Sequence, residues 1–484
     1  MSVRRSLAFS LVENYGRLLL NFAPAVILAR LLTPAEIGIF SLSVAFIGLA
    51  HMLREFGVMN FLVQEKDLTE DKMRTAFTVA FLTGAAVGVA ILLARGPMAR
   101  FYDETGVERV LGVLALNFFV IPFGMPVLGL LQREMRFDLL LRINMTGALV
   151  QVAVTLTLAF MGFSYMSMAW GSLAGAVATA LAATVARPAI ANPRPSLKAW
   201  RTVFAFGGKS SLASLVNQLG VGAPEFVAGR LLGFAAVGLY SRAMSLFEMF
   251  RQTVLDAVWS VALPAFAASN RTSEGLAPTY LLATSHISVI AWPFFGFVGF
   301  MAFPVIRILF GDQWDAAVPA ARIVSFAIML VTPYLLSSHA IIAMGEVGKL
   351  LRIELASQVT FVVFVAIGAL YSLEAMVAAH IVAALVRDYF SQRYLHDLIG
   401  VTFRQVIAAT GKSLAVLGAT VFVPAVVAAT VEISPTNLWP PFLIAASGAA
   451  AGWLIAVFAL DHPVRGEILR VWTRARAIGL AWRP

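Results

Sequence analysis

The fold is decided by a stretch near the start of the chain, Glu13 to Ser41, which reads ENYGRLLLNFAPAVILARLLTPAEIGIFS. It is too apolar for a soluble helix and too polar for an inert membrane anchor. Its polar residues and first proline are spaced by three, four, seven and eleven residues, so they share one face of an α-helix. They are Glu13, Asn14, Arg17, Asn21 and Pro24. The stretch therefore predicts a membrane helix with one polar face that contacts water.

A similar sequence pattern recurs 200 residues later in the chain. Eight of the nineteen positions 23–41 are identical at that offset, where composition alone would give about one or two. In the second copy the identical residues are Ala223, Pro224, Arg230, Leu231, Leu232, Ala235, Gly238 and Ser241. An even number of predicted spans separates the copies, so the two halves form a parallel pseudo-two-fold repeat. Transporters built from repeats bind substrate between the halves, near the membrane midplane.

The composition is that of a polytopic membrane protein. Hydrophobic residues make up 60% of the 484 residues and charged residues 13%, whereas soluble chains carry about 25% charged residues. A bilayer core about 30 Å thick needs about 20 apolar residues per helix, so the length allows about a dozen or more spans. No long hydrophilic segment is left for a separate soluble domain.

Apolar runs separated by short breaks predict about fourteen transmembrane helices. The predicted spans are 10–31, 36–63, 75–95, 109–131, 139–161, 164–187, 209–231, 236–266, 279–310, 318–344, 348–371, 374–396, 404–430 and 438–460. The interval after the sixth span holds three prolines and three basic residues, a composition typical of a linker. We expect an N-terminal six-helix half at 1–187, a cytoplasmic linker at 188–201, a second six-helix half at 202–396, and two extra helices with a basic cytoplasmic tail at 397–484.

The net charge of +10 is distributed as the positive-inside rule predicts. The start Met-Ser-Val-Arg-Arg lacks the pattern of a cleaved signal peptide, so we expect a cytoplasmic N-terminus. With that start, the proposed cytoplasmic loops and the tail are rich in Lys and Arg, and the outer loop 96–108 is the one exception. Both termini are expected in the cytoplasm, and no nucleic-acid partner is expected because the basic residues are scattered.

Polar residues inside the predicted spans are the candidate substrate site. A charge at mid-bilayer costs about 2.5–3.5 kcal/mol on insertion scales, so such residues usually face a cavity or a partner. Most lie on spans one, two, seven and eight, in matching positions of the two halves. The candidates are Glu13, Asn14, Arg17, Asn21, Arg54, Arg142, Asn217, Gln218, Glu225, Arg251, Gln252 and Asp256. For each of them, a structural ion pair or an interfacial anchor is the alternative.

Motifs for catalysis and for cofactors are missing from the sequence. Two Gly-Lys-Ser triplets, at 208–210 and 411–413, are preceded by Val203 and Val406 where a phosphate loop requires Gly. The chain has no Cys, which excludes disulfides and thiolate metal sites, and its six His residues form no cluster. We therefore expect no enzyme activity, no cofactor and no metal; energy would come from ion gradients, the membrane potential or the substrate gradient.

Five motifs resemble one known family. They are LARLLTPAEIGIFS at 28–41, REFGVMNFLVQEKDLTE at 54–70, LQREMRF at 131–137, AWGSLAG at 169–175 and LFGDQWDAAVP at 309–319. With them the chain resembles, over roughly residues 5–400, the Wzx-type polysaccharide and oligosaccharide flippases of the multidrug/oligosaccharidyl-lipid/polysaccharide exporter superfamily.

The resemblance implies a V-shaped exporter fold of two six-helix bundles and two trailing helices. It also implies flipping of an undecaprenyl-pyrophosphate-linked oligosaccharide to the periplasmic leaflet of the bacterial inner membrane by alternating access, for surface polysaccharide biosynthesis. In that case Arg17, Arg54, Arg142 and Arg251 would suit a cationic cavity for the diphosphate, because guanidinium groups bind phosphate oxygens in a bidentate manner. The expected partners are the lipid-linked substrate, membrane lipids, and the polysaccharide polymerase and export machinery, and we expect the protein to be a monomer.

Three alternatives stay open at this point. Acidic residues among the candidates suit a cation-coupled small-molecule exporter of the same superfamily. A membrane glycosyltransferase or polymerase usually needs a long extramembrane loop with catalytic acids, and here the longest outer loop is short. A scaffold without transport activity has no reason to carry matching polar faces in both halves.

Overall fold

The computed structural model describes residues 22–55, 58, 61–62, 65, 67–188, 195–198, 200, 218–271, 275–470 and 473. In these ranges the chain forms helices and turns, with one isolated β-bridge between Ser434 and Asn437. Ten described helical segments are long and apolar enough to cross a membrane, with Asp312–Ala343 counted as one segment. Because long apolar helices satisfy their own backbone hydrogen bonds, they are the form such a chain takes in a bilayer. The predicted all-α polytopic membrane fold is confirmed.

The chain divides into two compact units, and the first ends at Ser241. Its described helices are α1 Phe22–Leu31, α2 Pro34–Glu55, α3 Glu70–Tyr102, α4 Thr105–Arg133, α5 Phe137–Phe160, α6 Met166–Ala186, α7 218–231 and the first half of α8 Phe234–Phe250. The loop predicted at 96–108 is mostly helical, since α3 and α4 leave only Asp103 and Glu104 between them. Asp103 adopts a left-handed conformation (φ 54°) and makes the turn this short.

The second unit begins at Arg242, within α8. Its elements are a π-helical turn Arg251–Leu255, α9 Asp256–Ser269, α10 Leu276–Phe300, α11 Ala302–Phe310, a 3₁₀ turn Asp312–Ala317, α12 Val318–Val331, a 3₁₀ turn Thr332–Tyr334, α13 Ser337–Ala343, α14 Val347–Ala369, α15 Leu373–Ile399, α16 Phe403–Thr430 and α17 Trp439–Ala459.

Most predicted spans agree with these helices to within a few residues. The ten membrane-length helices cover ten of the predicted spans, and α1, α7, α8 with α9, and α15 lie at the other four positions. Three predicted spans are divided in the structure: 236–266 between α8 and α9, 318–344 between α12 and α13, and 279–310 between α10 and α11. The last of these breaks follows Phe300. Proline at 304 explains the break, because its ring would clash with the carbonyl of Phe300 in a continuous helix.

The linker predicted at 188–201 is described only at 188, 195–198 and 200, so the division into halves stays a prediction.

In the first unit, α5 and α6 approach each other closely through glycines. A Cβ atom added at Gly147 would lie 1.9 Å from Thr179 Oγ1, and one added at Gly171 would lie 1.8 Å from Thr155 Oγ1. Small residues at such crossings let two membrane helices pack backbone to backbone. The same two helices form one wall of a polar cavity described below.

In the second unit, the family-like motif at 309–319 packs against a half-buried arginine of α8. The guanidinium carbon of Arg242 lies 5.6 Å from the ring centroids of both Phe310 and Trp314, and Trp314 is fully buried. Cation–π contacts of this geometry are worth more when they are shielded from water. The motif therefore contacts α8 at Arg242.

The segment after α17 is attached to two helices by His462, which is 1% exposed. Its Nδ1 accepts a hydrogen bond from the backbone N–H of Val464 at 3.2 Å. Its Nε2 therefore carries the proton in the neutral ring and faces Ser413 Oγ of α16 at 3.0 Å and Ser285 Oγ of α10 at 3.2 Å. These contacts join the segment after α17 to both helices.

Candidate functional site

Some of the predicted site residues lie outside the part of the chain that the structure describes. They are Glu13, Asn14, Arg17, Asn21 and Asn217. The first unit contains Arg54, Arg142, Gln218 and Glu225, and the second contains Arg251, Gln252 and Asp256.

Two of the predicted residues in the first unit lie on α2 or in contact with it. Arg54, near the end of α2, is only 7% exposed, and its carbonyl oxygen accepts a hydrogen bond from Thr83 Oγ1 at 3.4 Å. Gln218, at the start of α7, packs its side-chain amide against Gly48, where an added Cβ would lie 2.6 Å from Nε2. The start of α7 therefore packs against α2 at Gly48. Arg142 is apart from this contact, on α5, where it is exposed.

Glu225 lies in α7, one residue after Pro224, and is half-buried. Its Oε2 atom is inaccessible to solvent and has no hydrogen-bond partner among the described residues. An uncompensated carboxylate oxygen in a membrane helix carries a desolvation penalty. Such an oxygen is a candidate site for a proton or a cation.

Arg251 forms ion pairs with two carboxylates in the second unit. Its Nε lies 2.8 Å from Glu248 Oε2, and its Nη1 lies 2.9 Å from Asp256 Oδ1. Residues five apart lie on different faces of an α-helix, but the π-helical turn at 251–255 closes a hydrogen bond from the N–H of Asp256 to the carbonyl of Arg251. The turn thus brings Asp256 over Arg251. Gln252, in the same turn, is exposed.

The two copies of the repeat meet each other within the first unit. A Cβ atom added at Gly38 would lie 1.9 Å from the carbonyl oxygen of Phe234, and one added at Gly238 would lie 2.0 Å from the carbonyl oxygen of Pro34. Beside them, Ser41 Oγ donates a hydrogen bond to Ser241 Oγ at 3.2 Å. Gly38 and Gly238, Pro34 and Phe234, and Ser41 and Ser241 occupy equivalent positions at the 200-residue offset. Such reciprocity is the mark of a two-fold contact.

A polar cavity of about 360 Å³ lies inside the first unit. Sequence reasoning missed it, although its polar groups on α5 recur at a spacing of seven residues and so share one helical face. Its polar lining consists of His51, Asn117, Asn144, Gln151, Ser172 and Thr179. Asn117 is 4% exposed, and its Nδ2 donates to Ser172 Oγ at 3.1 Å. Its Oδ1 has no hydrogen-bond partner among the described residues.

A larger cavity of about 900 Å³ lies in the second unit, between α10, α12, α15 and α16. Most of its wall is apolar and aromatic. Tyr334 donates its hydroxyl to Gln392 Oε1 at 2.9 Å, and Gln392 Nε2 donates to the carbonyl of Val401 at 2.8 Å. Asp388 also lines the cavity, and its buried Oδ1 has no partner among the described residues. Asp388 was not among the residues predicted from the sequence.

A metal centre is not supported by the described part of the chain. Within it, no group of three or more His, Asp or Glu residues is arranged to hold a metal ion.

Relatives with similar sequences are named for polysaccharide biosynthesis. The lipopolysaccharide biosynthesis protein WzxC of Escherichia coli is 24% identical over 315 residues, which are 63% of this chain and 62% of that protein. The succinoglycan biosynthesis transport protein ExoT of Rhizobium meliloti is 25% identical over 344 residues, 69% and 67% of the two chains. The teichuronic acid biosynthesis protein TuaB of Bacillus subtilis is 23% identical over 57% of this chain and 58% of its own.

Solved structures with the same fold are lipid and drug transporters. The lipid II flippase MurJ, in an inward closed conformation, superposes with a TM-score of 0.78 over 96% of this chain and 100% of its own, at 13% sequence identity. An inward-facing multidrug resistance MATE transporter of the MOP superfamily gives a TM-score of 0.61 over 78% and 94%, at 18% identity. At these identities the likeness shows the fold.

The model of the family described as polysaccharide biosynthesis protein matches residues 27–319, more than half of the chain. The resemblance drawn from the five motifs is thereby confirmed, and the chain belongs to the polysaccharide biosynthesis protein family.

Proposed function

We propose that this protein flips a polyprenyl-diphosphate-linked oligosaccharide, with undecaprenyl as the lipid, from the cytoplasmic to the periplasmic leaflet by alternating access. The product would feed the synthesis of a surface polysaccharide. The family is one of polysaccharide biosynthesis, its relatives include a named transport protein, and a lipid flippase shares the fold. Because these include a transport protein and a flippase, we propose a transport function and no enzyme activity.

The reciprocal crossing of α2 and α8 is the observation that carries the mechanism. Alternating access needs a contact that opens as one repeat moves against the other. At this crossing two glycines bring the backbones together, and a side-chain hydrogen bond between two serines lies beside them. A contact held by small residues and a weak hydrogen bond can separate without exposing a buried charge.

Binding of the diphosphate would involve competition for Arg251. In this conformation Glu248 and Asp256 bind its guanidinium, so the three groups carry a net charge of −1. A diphosphate would replace one or both carboxylates, since Arg binds phosphate oxygens in the same bidentate way. Arg54 and Arg142 are the other described arginines that we propose for the headgroup.

A cysteine cross-link at the crossing tests the mechanism. The chain has no native Cys, so the pair Ser41→Cys with Ser241→Cys gives a defined disulfide. In proteoliposomes we expect oxidation to abolish flipping of a fluorescent polyprenyl-diphosphate oligosaccharide, and reductant to restore it. The control pair is Ser434→Cys with Asn437→Cys, at the β-bridge of a single loop, where a cross-link restrains no other element. Full flipping by the oxidised Ser41–Ser241 pair contradicts opening at this crossing.

A cation-coupled small-molecule exporter is the second candidate, because Glu225 has a buried carboxylate oxygen without a partner among the described residues. The two functions differ in cargo. Proteoliposomes that accumulate a cationic dye under an imposed Na⁺ or H⁺ gradient, and do not flip the lipid, would favour the exporter. The reverse result favours the flippase.

We propose the bacterial inner membrane as the location, with both termini in the cytoplasm. The proposed partners are the lipid-linked substrate and the polysaccharide polymerase and export machinery. We expect the protein to act as a monomer.

A further inference from the structure

We propose that the polar cavity inside the first unit is a subsite for one neutral sugar ring of the transported headgroup. This inference rests on the proposed flippase function and adds to it the place where sugar identity is recognised. The cavity lies between α2, α4, α5 and α6, all within the first compact unit.

The size of the cavity suits one ring. Its volume of about 360 Å³ is at the lower end of the range of about 300–1,000 Å³ typical of small-molecule sites. An oligosaccharide of several residues is too large for it. A single sugar fits, with the rest of the chain outside.

The lining has the chemistry of a sugar site. Sugar hydroxyls both donate and accept hydrogen bonds, and so do the amides of Asn117, Asn144 and Gln151 and the hydroxyls of Ser172 and Thr179. No Asp, Glu, Lys or Arg is among the described lining residues. A diphosphate would find no cation here, and a divalent metal would find no carboxylate. A neutral polyol matches such a surface.

Asn117 points to a ligand most directly. It is 4% exposed at the middle of α4, one end of its amide is bonded to Ser172, and the carbonyl end lacks a partner among the described residues. A buried amide oxygen usually has a hydrogen-bond donor, so a vacant one is unusual in a folded protein. A sugar hydroxyl would satisfy it. Sites built to bond a hydroxyl discriminate strongly against analogues that lack it.

Two further features keep the cavity open and accessible. Gly147 and Gly175 line it where side chains would clash, since an added Cβ at Gly175 would lie 2.8 Å from Cβ of Gln151. The amides of Asn144 and Gln151 are themselves exposed, although both lie within a membrane helix. Exposed amides in a span face water or substrate more readily than lipid. They mark the side from which a ring would enter.

Binding to defined lipids tests the subsite. The probes are polyprenyl diphosphate without sugar, and the same lipid carrying a single glucose, galactose or N-acetylglucosamine. We expect the wild type to bind at least one sugar-bearing lipid more tightly than the bare lipid. Asn117→Leu and Gln151→Leu should each reduce that preference by about tenfold, the effect of one lost buried hydrogen bond, and leave affinity for the bare lipid unchanged. Gln151 is exposed, so its variant tests the subsite even if Asn117→Leu fails to fold.

A cysteine reporter shows where the sugar lies. Ala176 lines the cavity, whereas Ala174, on the opposite face of α6, lines a separate apolar groove. The preferred sugar-bearing lipid should protect Ala176→Cys, but not Ala174→Cys, from a small neutral thiol reagent. The bare lipid should protect neither.

The outcomes separate this inference from the function on which it rests. A wild type that binds neither class of lipid contradicts the flippase proposal itself. A wild type that binds both classes equally, variants that keep the full sugar preference, or an unprotected Ala176→Cys overturns the subsite and leaves the flippase proposal standing.

Discussion

Arg251 is the residue at which charge pairing and substrate binding are hardest to separate. If it binds the diphosphate, Arg251→Ala should reduce flipping by about tenfold or more, because charge-assisted bidentate contacts are among the strongest a side chain makes. Flipping in proteoliposomes, normalised to folded protein, measures the effect. Arg271→Ala, at an exposed position, is the matched control.

The triple variant Arg251→Ala, Glu248→Gln and Asp256→Asn distinguishes the two roles. Removing the arginine alone leaves two carboxylates without their cation. This loss destabilises the protein whether or not Arg251 binds the substrate. If pairing is the only role, the triple variant should recover both stability and flipping. Recovery of stability without flipping assigns Arg251 to the substrate.

His462 provides a prediction about pH. Burial, with His286 and Lys412 nearby, lowers its pKa from 6.5 to about 4. Because the folded pKa lies below the unfolded value, the stabilisation is fully present above about pH 6.5 and is lost as pH falls from there towards 4. The loss should amount to at most about 3 kcal/mol. Thermal unfolding in detergent should fall less steeply over this range in His462→Gln, whose amide does not titrate; equal slopes contradict the assignment.

At the scale of residues, the sequence predicted which polar side chains lie within membrane-spanning helices, but it did not predict the groups that these side chains contact. The spacings of three, four and eight residues from Glu248 to Arg251, Gln252 and Asp256 predicted polar residues along the eighth span, but the direct pairing of Arg251 with Asp256 depends on a π-helical turn for which the sequence shows no signal. The cavity at Asn117 was missed for a related reason. Its polar groups come from four helices, and each helix alone carries only one or two of them.

Among the elements, the crossing of α2 and α8 gives the sharpest expectation. Gly38→Ala or Gly238→Ala would put a methyl group about 2 Å from a carbonyl oxygen of the opposing helix. The two helices must then move apart, which should lower the free energy of unfolding by about 1–3 kcal/mol. We expect reduced formation of the Ser41–Ser241 cysteine cross-link, and a lower unfolding temperature. In Gly418→Ala, on α16, the added Cβ meets nothing within 4 Å, and that control should be neutral or slightly stabilising. A similar response of all three variants contradicts the crossing.

Helix boundaries were the most predictable feature of the elements. Membrane helices must bury long apolar runs, so α14 at Val347–Ala369 lies almost where the predicted span 348–371 does. The errors occur where an apolar run continues through a break. The end of α10 at Phe300 lies within such a run. No polar residue indicates it there, and Pro304 is the single sequence signal of the break. The loop between α3 and α4 was predicted too long for the opposite reason, since charged residues there are helical.

For the whole molecule, the orientation in the membrane is a testable prediction. The tail carries Arg465, Arg470, Arg474, Arg476 and Arg483, and the positive-inside rule puts it in the cytoplasm. Green fluorescent protein fused after Pro484 should fluoresce, and alkaline phosphatase at the same position should be inactive. Fusion within the loop 431–437 should give the opposite pattern. An active phosphatase at the C-terminus would invert the proposed topology.

The repeat was visible in the sequence because eight identities survive at a constant offset. The sequence did not reveal that the repeated residues contact each other, since identity at an offset says nothing about distance. The division at Ser241 was also unforeseen. It follows from the crossing, because the start of α8 packs against α2 and so belongs with the first unit.

The Gly38–Gly238 contact also has a consequence for how this chain can evolve. Each glycine faces the backbone that precedes the other, so neither position can gain a side chain without moving both helices. We therefore expect the two sites to covary among close relatives: a larger residue at one should accompany a compensating change near the other. Insertions between the copies are free of this constraint, because the contact depends on position in space and not on the 200-residue interval. The two halves of the gene can diverge widely in sequence, but at this point they must diverge together.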